Sequence, residues 1–121
     1  MITEDELLKN LKHFTGSDHL ARLTRRVLLT EGTRYLAEAA ECFWLLDVYA
    51  SHLAAIDSDK EGFTCLKLSK KSRSASVLIE DGNGRVLAKQ NIEYTDFPLS
   101  TITLYGCWAG DFWVLMLPSE Y

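Results

Sequence analysis

The side chains of this 121-residue chain with the most chemistry to offer are three histidines, His13, His19 and His52, and three cysteines, Cys42, Cys65 and Cys107. Their spacing argues against a metal site. A structural zinc centre usually takes two ligands from one turn of chain, and the sequence holds neither Cys-x-x-Cys nor His-x-x-x-His. Nucleophilic catalysis needs a thiolate or alkoxide beside a base. Cys107, between Gly106 and Trp108, is the most plausible reactive thiol, which makes a small cysteine-dependent enzyme one alternative reading. His52 and Asp47 lie five residues apart on a predicted helix, roughly 140° around its axis, so they do not face together. Gly82-x-Gly84 precedes a predicted strand, whereas a phosphate-binding loop opens a helix. The carboxylates Glu80-Asp81 and Asp57, Asp59 and Glu61 fall in loops or at strand ends, without the twelve-residue pattern and closing glutamate of a calcium loop. The residues therefore predict no catalytic set, no metal and no cofactor.

Two other groups bear on binding. Arg22, Arg25 and Arg26 are close in sequence, and Lys67, Lys70, Lys71 and Arg73 form a second basic cluster. If the fold joins Arg22, Arg25, Arg26, Lys70, Lys71 and Arg73, they make a cationic patch suited to nucleic acid. No aromatic side chains interleave them as base stacking would require. The C-terminal run from Leu104 to Tyr121 is rich in aromatics. Tyr105, Trp108, Phe112 and Trp113 exceed what one small core must consume, and tryptophan and tyrosine favour interfaces. They are the candidate protein-binding residues.

The elements that must position these groups change period half-way. Thr3 and Glu6 form a capping box ahead of Leu7, Leu8 and Leu11, predicting a helix over Glu4–Lys12. Leu20 to Leu29 fits either a helix face or a short strand over Val27–Leu29, and the strand is favoured. Thr30-Glu31-Gly32 reads as a turn, with Thr33 capping a helix that carries Tyr35, Leu36, Ala39 and Ala40. A further helix over about Cys42–Ile56 is apolar nearly all round, as a buried helix is, with Asp47 and Ser51 as its polar stripe. No glycine or proline separates these two helices, which leaves their continuity open. After Gly62 the pattern alternates: Phe63–Ser69, Ala75–Glu80, Arg85–Tyr94, Ser100–Trp108 and Phe112–Leu117 read as strands. Asp81-Gly82-Asn83-Gly84 is a hairpin turn.

Composition bounds the rest. The chain is 47% hydrophobic and 25% charged with only two prolines, an ordinary globular balance. A net charge of −4 gives little reason for broad nucleic-acid affinity. An odd number of widely spaced cysteines inside apolar runs suits reduced thiols, and the acidic N-terminus lacks the basic and apolar regions of a signal peptide. A cytoplasmic protein with no membrane segment is expected.

Short pieces of the chain together resemble a known family. They are Phe14-Thr15-Gly16-Ser17, Thr30-Glu31-Gly32, Tyr35-Leu36-Ala37, Trp44-Leu45-Leu46-Asp47, Tyr94-Thr95-Asp96-Phe97-Pro98-Leu99 and the terminal Leu117-Pro118-Ser119-Glu120-Tyr121. In this order the sequence is similar to a family of small uncharacterised proteins of bacteria, plasmids and phages. The resemblance implies a one-domain α+β protein and transfers no active residue. It suggests an accessory or anti-defence (anti-CRISPR-like) role on a mobile element.

The expectation is thus a single α+β domain over 1–121. Its N-terminal helices pack on an antiparallel meander of about five strands. The expected function is a non-catalytic interaction or inhibitor protein that binds another protein or itself as a homodimer.

Overall fold

The structure is a computed structural model that describes residues 2–121. Helix α1 spans Glu4–Leu11, with the Thr3 hydroxyl accepting the Glu6 N–H at 3.2 Å and acidic side chains in the first turn. Its buried side chains are Leu7 and Leu11. The ambiguous segment after it is a hairpin of two short strands, β1 over Ala21–Thr24 and β2 over Val27–Leu29, turning at Arg25-Arg26.

Thr30-Glu31-Gly32 is not a turn between elements. It is the start of helix α2, Glu31–Ala39, with Thr30 as N-cap; the hydroxyl of Thr30 accepts the Thr33 N–H at 3.3 Å. The helix thus begins earlier than a Thr33 cap would allow. Helix α3, Phe43–Leu53, is separate from α2. The break is at Glu41, whose φ of 51° is left-handed, and the Cys42 N–H closes back onto the Ala37 carbonyl at 2.9 Å. This six-residue closure is the Schellman arrangement, with glutamate standing where glycine is usual. Helix α3 buries Leu45, Leu46, Tyr49, Ala50 and Leu53 and exposes Asp47 and Ser51, as its composition predicts.

Five further strands follow: β3 Phe63–Lys71, β4 Ser74–Glu80, β5 Val86–Ile92, β6 Thr101–Trp108 and β7 Trp113–Met116. A 3₁₀ turn, Pro118–Glu120, ends the chain. All seven strands form one mixed sheet in the order β1-β2-β7-β6-β3-β4-β5. Two expectations are corrected here. The sheet has seven strands and only part of it is a meander, because β6 returns to pair with the free edge of β3 while β7 pairs in parallel with β2. The helices are also not grouped ahead of the strands, since the β1–β2 hairpin lies between α1 and α2. Hairpin turns are local signals, whereas the β2–β7 pairing joins segments more than eighty residues apart that carry no such mark.

Alternation along the strands sorts the sheet into two faces. Val27, Leu29, Leu66, Leu68, Val77, Ile79, Leu104, Trp113 and Leu115 are buried with the helical side chains in one core. Tyr49 closes that core against the sheet: its hydroxyl is 2.8 Å from Thr64 Oγ1, and a Cβ on Gly106 would come within 2.8 Å of it. A glycine is therefore required in the middle of β6. Among the described residues, no helix is long and apolar enough to cross a membrane.

Candidate functional site

The face of the sheet opposite the helices carries an apolar band. Tyr105 on β6 stands between Cys65 on β3 and Met116 on β7, and Cys107 stands between Phe63 and Val114, with Leu28 beyond on β2. Phe63, Tyr105 and Tyr121 form a triangle of edge-on rings, with centroids 5.0, 5.5 and 5.4 Å apart. Tyr121 is 76% exposed, so this cluster faces solvent and is not a second core. Charges bound the band: the Lys67–Glu80 ion pair at 3.0 Å on the β3–β4 side and Arg22 on β1 at the other end. The hydrogen bond to Glu80 also raises the Lys67 pKa.

The four aromatic residues singled out in the C-terminal run divide between environments. Tyr105 belongs to the solvent-facing band. Trp113 is core, at 4% exposure, and Trp108 is half-buried against it with ring centroids 5.3 Å apart. Phe112 lies in the turn, where its carbonyl accepts the Ala109 N–H at 2.8 Å. Tyr105 and Trp108 are an odd number of strand positions apart, and this places them on opposite faces.

The tryptophan pair forms one wall of a cleft of about 460 Å³ at the end of the sheet. Its other walls are the C-terminal part of α3, through Ala50 and Leu53, with Ile56 just beyond the helix, and the β1–β2 turn, through Arg25 and Arg26. The turn is held by its backbone: the Arg25 carbonyl accepts from Arg22 Nη1 at 2.6 Å, and the Arg26 carbonyl accepts the Trp113 N–H at 2.7 Å. Among the described residues, the ion pairs are Arg34–Glu38, Lys67–Glu80 and Arg85–Glu61, so the guanidinium groups of Arg25 and Arg26 have no acidic partner.

The two basic clusters do not meet. Arg22, Arg25 and Arg26 lie at the edge of the sheet where β3 begins. Lys70, Lys71 and Arg73 lie at the end of that nine-residue strand, about 26 Å away at strand rise. Lys70 is also committed locally, its ammonium donating to the Phe97 carbonyl at 2.6 Å, while the Arg73 guanidinium lies 6.0 Å from the centre of the Tyr94 ring. The single patch pictured from sequence is therefore two separate ones.

Cys107 and His52 are also divided by the sheet. Cys107 is half-buried on the band, and burial pushes its thiol pKa up, away from thiolate character. His52 Nε2 is 2.8 Å from the side-chain oxygen of Gln90 on the helix-covered side. The loop carboxylates have structural partners: Asp81 Oδ1 accepts the N–H groups of Asn83 and Arg85, and Glu61 pairs with Arg85 at 3.0 Å. Among the described residues, no three His, Cys, Asp or Glu side chains converge as metal ligands would.

Residues 5–121 match a family described as being of unknown function, DUF6876. The chain belongs to the DUF6876 family. All the short pieces that carry the resemblance noted above lie within the matched span, and the family has no assigned activity, in keeping with that resemblance. No curated protein and no solved structure matches this DUF6876 chain. Its band residues Phe63, Val114, Met116 and Tyr121 escape sequence reasoning because strand register, not spacing along the chain, gathers them around Tyr105.

Proposed function

We propose that this protein is a non-catalytic interaction protein whose docking surface is the helix-free face of its sheet. The observation that supports this most is the apolar band from Leu28 through Val114, Tyr105 and Phe63, with Tyr121 exposed upon it. Contiguous apolar surface rimmed by charge is characteristic of surfaces that bind protein, and tyrosine with methionine is enriched in such contacts. The partner is another protein or a second copy of the chain. An accessory or anti-defence role on a mobile element, inhibiting by occupation rather than by chemistry, is the concrete form of this reading. The burial-raised thiol of Cys107 and its separation from His52 weigh against the enzyme alternative. The distance between the two basic clusters weighs against the nucleic-acid alternative.

The test combines light scattering over a range of concentrations with affinity capture, each repeated on Tyr105→Glu and Met116→Lys. These side chains are partly buried on the band and lie outside the helix-covered core, so both variants should fold. Self-association or capture that both substitutions abolish is the expected result. A strict monomer that captures nothing, or an association indifferent to both substitutions, overturns the proposal.

A further inference from the structure

We propose that the cleft between the β1–β2 turn, the end of α3 and the Trp108–Trp113 pair binds a small organic anion. The ligand class is a ring or short chain of apolar character carrying one carboxylate or phosphate group. This site is separate from the sheet face discussed above, and neither proposal depends on the other.

Size, lining and charge support it together. About 460 Å³ lies within the range of small-molecule sites, which are mostly apolar with a few placed polar groups. Here the apolar part is supplied by Trp108, Trp113, Leu53 and Ile56. Tryptophan rings offer a broad surface to a flat ligand body. The polar part is supplied by two adjacent arginines without acidic partners, in a protein whose net charge is −4. Guanidinium groups match carboxylate and phosphate geometry through paired N–H donors. Their backbone is already fixed by the contacts to Arg22 and Trp113, so binding does not have to order the turn.

The direction of binding follows from the helix. The C-terminal end of α3, which borders the cleft at Leu53, is the negative end of the helix dipole and disfavours an anion. The charged group of the ligand therefore sits on the β1–β2 side, against Arg25 and Arg26. The apolar body lies across the tryptophan pair toward Leu53 and Ile56.

The experiment is calorimetric titration of the full chain with 2-naphthoate, 2-naphthyl phosphate and the neutral 2-naphthamide, with intrinsic tryptophan fluorescence as a second signal. Expected are saturable binding of at least one anion below millimolar concentration and at least tenfold weaker binding of the amide. The preferred anion tells a carboxylate site from a phosphate site. Arg25→Ala with Arg26→Ala should weaken the anion at least tenfold and leave the amide unchanged, since neither guanidinium holds the fold together. Ile56→Ala should weaken all three ligands. The proposal is overturned if no anion binds at millimolar concentration, if amide and anion bind equally, or if the double arginine variant with an unchanged melting temperature binds the anion as before.

Discussion

Glu120 closes the N-terminus of α2: its carboxylate accepts a 2.6 Å hydrogen bond from the hydroxyl of Thr30, the capping residue ninety positions earlier. The same carboxylate accepts the N–H of Gly32 at 3.1 Å and the N–H of Leu117 at 3.1 Å. Three donors and the positive end of a helix thus converge on one terminal side chain. The contact joins two short segments that lie far apart in the chain, Thr30-Glu31-Gly32 and Leu117-Pro118-Ser119-Glu120-Tyr121. They are the two sides of one joint. Gly32 is part of it, because a Cβ there would meet Glu120 Oε1 at 2.5 Å and Leu117 Cδ1 at 2.7 Å.

The first prediction follows from this joint. Glu120→Ala should destabilise the protein by about 1–3 kcal/mol, the usual cost of leaving partly buried donors without a charged acceptor. Gly32→Ala should be destabilising in the native background and less so beside Glu120→Ala, where one of the two colliding side chains is gone. Urea unfolding of the two single variants and the double variant measures this coupling. Strictly additive effects would sink the account.

How much of this was legible beforehand varies with the range of the interaction that decides it. The cap at Thr3, the buried α3 and the β4–β5 and β6–β7 hairpins are set by residues a few positions apart, and they stand where the sequence puts them. At Thr30 the local signal is ambiguous, since Thr30-Glu31-Gly32 suits a turn as well as a cap. What ties it to the helix start beyond the Thr33 N–H, Glu120 and the Leu115 carbonyl, comes from the far end of the chain. The parallel β2–β7 pairing has the same character. The candidate site was half legible: Tyr105, Trp108 and Trp113 stand out by type, and Arg25 and Arg26 by charge. That Tyr105 looks onto one face while Trp113 joins the arginines on the other depends on strand order, which no local pattern encodes.

The second prediction concerns the break between α2 and α3. Glu41 holds φ at 51°, where a side chain with a Cβ is strained and glycine is not. Glu41 is exposed, so its side chain adds little to packing. Glu41→Gly should therefore stabilise the protein by roughly 0.5–1 kcal/mol, the relief of strain exceeding the greater flexibility of glycine in the unfolded chain. A rise in the urea midpoint at unchanged slope is the expected reading. A fall would mean that Glu41 makes interactions worth more than the strain.

The third prediction concerns pH. Glu31 ties the loop before β1 to the first turn of α2, its carboxylate accepting the N–H of Asp18 at 2.9 Å and of His19 at 3.1 Å, while the Ser17 hydroxyl accepts the Glu31 N–H at 2.9 Å. The hydrogen bond from Asp18 and then that from His19 lower the pKa of Glu31 below its ordinary 4.5, since both donors favour the charged form. The folded state thus holds the proton less tightly than the unfolded state. The stabilisation is fully present above about pH 4.5, and is lost as the pH falls through the lower folded value. Because the carboxylate is solvent-exposed the effect is modest. Glu31→Gln should lower stability by a constant amount between about pH 7 and pH 5, and the gap to the native protein should close on further acidification. Amide exchange at Asp18 and His19 should quicken in the variant at neutral pH, which separates loosening of this loop from a global loss of stability. A gap that stays constant down to about pH 3 would show that the hydrogen bonds do not distinguish the charged carboxylate from the neutral one.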